Sequence, residues 1–147
     1  MRYDIARAVT DWTIYEFIDR RGNTPCSDEF SNANDTELAD VYESLRLLRA
    51  AGVPPDRTRG NPEVEAINHK CPHDHNKTAF FVLKAKPSGW RLYFRIADRE
   101  TKQIEFLFAT NKKKNARDPE DLDRCCTILR AIQSGNCSRA ELAIPDR

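Results

Sequence analysis

Every histidine of the chain falls within one short run, His69-Lys70-Cys71-Pro72-His73-Asp74-His75. Imidazole titrates near neutral pH, which makes His69, His73 and His75 candidates for proton transfer. With Cys71 they also offer donors to a zinc ion. The spacing H-x-C-x-H-x-H is not the paired C-x₂₋₄-C and H-x₃₋₅-H of structural zinc sites, however, and Pro72 interrupts any strand that would aim alternate side chains together. A polar surface loop is the plainer reading, and neither a metal nor another cofactor is expected. A second group of residues suits a polyanion. Trp90-Arg91-Leu92-Tyr93-Phe94-Arg95-Ile96 alternates, with Trp90, Leu92, Phe94 and Ile96 on one sheet face and Arg91, Tyr93 and Arg95 on the other. The run Phe106-Leu107-Phe108-Ala109-Thr110-Asn111 leads directly into Lys112, Lys113 and Lys114. Lysine and arginine make phosphate contacts, and a tyrosine stacks on a splayed base or moves a proton. Taken singly, each of these features is more often the solvated outer face of an antiparallel sheet or a solvated loop.

The charge distribution favours the first of these readings. The chain of 147 residues carries a net charge of only +1. Residues 68–117 nonetheless hold 12 Lys and Arg against 4 Asp and Glu. A concentrated positive region on a neutral protein marks a local electrostatic site. Lys70, Lys84, Arg95 and Lys114 are therefore RNA-binding candidates.

The elements that must position these groups follow from patterning. Residues 11–18 are aromatic and β-branched and predict a strand. Thr24-Pro25 opens a short helix to about Asn32. A longer helix starts at Asn34 or Asp35, carries Leu38, Val41, Tyr42, Leu45 and Leu48 on one face, and stops at Gly52. Residues 53–77 are rich in proline, asparagine and histidine and predict a loop. Strands are expected at 79–85, about 90–97 and about 103–109, as antiparallel neighbours through short turns. Asp118-Pro119 opens a final helix with the apolar stripe Leu122, Cys125, Cys126, Leu129 and Ile132, ended by Gly135.

Length, 39% apolar content and 32% charge describe one globular domain over 1–147, with a core of about 11–133 and a weakly patterned tail, 134–147. No apolar run approaches the roughly 20 residues needed to span a bilayer, and the amino terminus has no secretory pattern, so a cytoplasmic location and no membrane partner are expected. The five cysteines are odd in number and form no C-x-x-C pair, so buried thiols rather than a disulfide framework are expected. There is no phosphate-cradling glycine loop, no G-x-S-x-G elbow and no H-E-x-x-H helix.

The segments Trp12-Thr13-Ile14-Tyr15-Glu16-Phe17, Arg21-Gly22-Asn23-Thr24-Pro25 and Ser44-Leu45-Arg46-Leu47-Leu48, followed by Trp90-Arg91-Leu92-Tyr93-Phe94 and Phe108-Ala109-Thr110-Asn111-Lys112-Lys113, resemble the phage-derived HigB-like branch of the RelE/ParE toxin superfamily. The resemblance spans about residues 11–133. It departs where that family often has Glu-Leu-Arg and this chain has Val82-Leu83-Lys84. It implies an α+β RelE-like fold: an N-terminal strand and helical hairpin packed on a mainly antiparallel sheet, with a C-terminal helix. It also implies the toxin half of a type II toxin–antitoxin pair, a metal-independent endoribonuclease acting on mRNA at the ribosome and restrained by a helix-turn-helix antitoxin. By position, Arg91 matches the family's strand arginine, and Lys112 and Lys113 its lysine pair. Proton transfer would fall to His69, His73, His75 or Tyr93. A non-catalytic RNA- or protein-binding module on the same fold, or a small zinc protein using His69, Cys71, His73 and His75, are the alternatives.

Overall fold

The structure, a computed structural model, describes residues 11–52, 62–71, 77–111, 119–135 and 137–146, with the backbone alone at 77–79. Among these residues the chain is α+β, with a six-stranded mixed sheet and three helices. In chain order they are β1 (Thr13–Ile18), α1 (Ser27–Phe30), α2 (Asp35–Ala51), β2 (Glu63–Lys70), β3 (Lys77–Ala85), β4 (Trp90–Asp98), β5 (Gln103–Asn111), α3 (Pro119–Gln133) and β6 (Ser138–Glu141). The sheet order is β2-β3-β4-β5-β1-β6. The run β2 to β5 is antiparallel throughout, β1 lies parallel to β5, and β6 closes antiparallel on β1.

Local chemistry sets the helix ends. The Asn34 side chain accepts the backbone N–H of Glu37 at 2.9 Å and starts α2. Val41, Leu45 and Leu48 then form its buried stripe. Gly52 ends it at φ 79° and ψ −173°, a conformation only glycine adopts without strain. Burial of α1 centres on Phe30, and Glu16 of β1 accepts both the backbone N–H and the hydroxyl of Ser27. That carboxyl is itself partly buried, which raises it above its ordinary range despite the two hydrogen bonds.

Strand alternation divides the core in two. Leu83, Leu92, Phe94, Ile104 and Phe106 meet α1 and α2 on one face. Phe17, Phe80, Val82, Tyr93 and Phe108 meet Leu122, Cys125, Ile128 and Leu129 of α3 on the other. Both faces of the sheet are therefore covered. The solvated outer face considered for Arg91 and Tyr93 does not exist at those positions: Arg91 is 8% exposed and Tyr93 2%.

Two further expectations are corrected, and the weakly patterned tail gains an element. Within the segment 53–77 expected as loop, residues 63–70 form β2, paired residue by residue with β3 from Glu63↔Lys84 to Lys70↔Lys77. The weakly patterned tail supplies β6, and Leu142 is buried with its N–H on Ile14 O at 2.9 Å. The absence of disulfides is overturned by a Cys71–Cys126 bond, which ties the end of β2 to the centre of α3. Cys26 and Cys125 are buried free thiols, as expected for small hydrophobes, and burial pushes both well up.

Candidate nucleic-acid interface

Arg91 and Tyr93 stand two apart on β4 and so share a face. Arg91 pairs with Thr110 and Tyr93 with Phe108 on β5. The Tyr93 and Phe108 rings stack at 5.0 Å, and the Arg124 guanidinium of α3 lies 4.7 Å over Phe108. The Tyr93 hydroxyl is hydrogen-bonded to Arg91 and feels the Asp121 carboxylate. Its pKa is pushed from 10.0 to about 12, first by burial and then by Asp121, with Arg91 acting in the opposite sense. At neutral pH Tyr93 is therefore a proton donor and not a base.

This cluster sits where β5 ends. Asn111, the residue before Lys112, pairs with Trp90, the residue before Arg91. Lys112, Lys113, Lys114, His73 and His75 lie outside the described residues. Arg124 and Asp121 did not emerge from the sequence as site residues. Their signal was faint: two charged positions on a helix whose apolar stripe includes Cys125.

Two of the basic candidates are more neutralised than their sequence suggests. Lys84 lies between Glu65 at 2.8 Å and Glu63 at 3.7 Å, and Lys86 reaches Glu63 at 2.6 Å. Both acids come from β2, on the segment expected as loop. Arg95 donates to the buried Glu105 at 2.9 Å, and Arg139 approaches the same carboxylate at 3.6 Å. Beside it Arg95 helps line a cleft of about 370 Å³ with Asp98, Arg99 and Gln133. Lys70 is exposed at the end of β2.

His69 is carried to a different place. Its Nε2 lies 3.1 Å from Asp123 of α3, beside the Cys71–Cys126 bond, and its ring is 6.4 Å from that of Phe80. His69 pairs with Thr78 and Arg91 with Lys84, six residues apart along β3, so the two are not brought together, and Arg91 and Tyr93 form a buried guanidinium–phenol pair near Asp121 of α3. No helix among the described residues is long and apolar enough to cross a membrane. No protein-family model, curated protein or solved structure matches the chain.

Proposed function

We propose that this chain is a RelE-like protein acting on RNA, the toxin of a type II pair, which cleaves mRNA on the translating ribosome and is held by an antitoxin. The observation that carries the reading is the register of β4 and β5. It places Arg91 beside the strand end from which Lys112, Lys113 and Lys114 continue in the chain. The element order of a strand, two helices, four antiparallel strands and a helix also supports the fold that the sequence resemblance implies, with β6 after that helix as an addition to it.

In this mechanism the RNA 2′-hydroxyl attacks the adjacent phosphate. Arg91 and the lysine run stabilise the charge that develops on the phosphorane, and a positioned acid protonates the leaving oxygen. Tyr93 holds its proton through the neutral range and acts through Arg91, which its hydroxyl orients. The base falls to His73 or His75.

Burial of Arg91 and Tyr93 limits their access to a scissile phosphate and so favours a second reading, a repurposed member of the same fold that binds RNA or protein through its other basic groups, salt-sensitively where the partner is RNA and without cleavage. Induced expression in a bacterium separates the two. The first reading gives growth arrest with new 5′ ends inside translated reading frames, lost in Arg91→Ala. Growth without such ends from a folded protein leaves only the second.

A further inference from the structure

His69 and Cys71 stand at alternate positions at the end of β2, and Asp123 and Cys126 stand three apart on α3. Each spacing sets its two side chains on one side of its element. The packing of α3 against the sheet turns the two pairs towards each other. One donor atom each from His69, Asp123 and Cys126 lies within 4.8 Å of the other two. Cys71 is bonded to Cys126, which sets its sulfur directly beside that of Cys126 at the edge of this group of three.

We propose that these four residues form a zinc site that opens when the Cys71–Cys126 disulfide is reduced. Two thiolates, one imidazole nitrogen and one carboxylate oxygen make a four-donor set suited to tetrahedral Zn²⁺. Asp123 and Cys126 come from α3, some fifty residues beyond the histidine run, and no spacing within that run indicates them. In the oxidised protein both sulfurs are bonded to each other and neither is a ligand, while Asp123 holds the His69 ring in place.

The chemistry balances with a dithiol as reductant. It delivers two electrons and two protons, the Cys71–Cys126 bond breaks into two thiols, and the dithiol closes into its own disulfide. Zn²⁺ then displaces the two thiol protons to solvent, and His69 Nε2 and the Asp123 carboxylate complete the coordination. Covalent bond and metal occupy the same place in turn, so the end of β2 stays fastened to α3 in both redox states.

Zn²⁺ competition against a chromogenic chelator, on full-length protein with and without dithiol treatment, tests this. The reduced chain takes up one Zn²⁺ with an affinity on the order of 100-fold or more above the oxidised chain. Co²⁺ substituted for Zn²⁺ shows thiolate charge-transfer bands and tetrahedral visible bands only after reduction. Asp123 is exposed, so Asp123→Ala keeps the fold while weakening binding by about tenfold or more. Cys126→Ser removes tight binding, with circular dichroism as the fold control, and a His73→Ala/His75→Ala double variant retains it. Equal affinity in the two redox states overturns the proposal. So does a site that survives Asp123→Ala but is lost in the double histidine variant.

Discussion

Replacing Tyr93 by phenylalanine isolates what burying a phenol does at the centre of the candidate interface. The side chain is 2% exposed and its pKa stands at about 12 against 10.0 for an ordinary tyrosine. Below pH 10 the folded and unfolded chains both keep the proton, so the contribution to stability is constant and fully present. As pH rises from 10 towards 12, the unfolded chain releases its proton first and folding is progressively disfavoured. Two pH units at about 1.4 kcal/mol each give a loss of roughly 2–3 kcal/mol across that window. Tyr93→Phe removes this alkaline slope. At pH 8 the variant is less stable than the parent by about 1–3 kcal/mol, because the hydrogen bond to Arg91 is gone. The two stability curves therefore converge as pH climbs. Urea melts followed by circular dichroism between pH 8 and 11.5 measure the gap, and the phenolate absorbance of parent minus variant reports the titration. A gap that is constant with pH, or a Tyr93 phenolate appearing near pH 10, would refute the burial argument and return Tyr93 to the list of exposed RNA contacts.

Two other substitutions test separate parts of the account. Gly52→Ala places a Cβ against the Trp12 indole in a backbone conformation open only to glycine, so it destabilises the fold by at least about 2 kcal/mol, read as a lower urea midpoint. Glu65→Gln removes the closer of the two acids beside Lys84 and leaves that ammonium more available. RNA affinity rises in fluorescence anisotropy, with a steeper loss on adding salt; an unchanged affinity would place Lys84 outside the contact surface.

The parts of the fold legible in the sequence were those in which one face of an element decides its pattern. The stripe Leu38 to Leu48 with its Asn34 cap and Gly52 stop specified α2, and alternation specified β4 and β5 nearly to their ends. Strand β2 was hidden because Glu63 and Glu65 occupy positions where an apolar residue would have marked a strand, and their partners Lys84 and Lys86 come from β3 and the turn after it. Strand β6 has four exposed residues and only an edge to pair with, so it leaves no hydrophobic signature. The period of two separated Arg91 and Tyr93 correctly from Trp90 and Leu92, but period alone does not say whether a face is covered. The apolar run Ala79 to Leu83 carried that information, since a strand buried on both sides has no polar alternation. Pairing of Cys71 with Cys126, 55 residues apart, depends on how α3 crosses the sheet and has no local signal.

Incubation of the purified protein with ribosomes programmed by a defined mRNA, with cleavage mapped by primer extension, asks whether this chain cuts RNA. The account predicts metal-independent cuts within the translated frame, weakened by about tenfold or more in Arg91→Ala and in Lys113→Ala, since each removes charge from the developing phosphorane. Intact mRNA on programmed ribosomes with folded protein, or cleavage indifferent to Arg91→Ala, would contradict it.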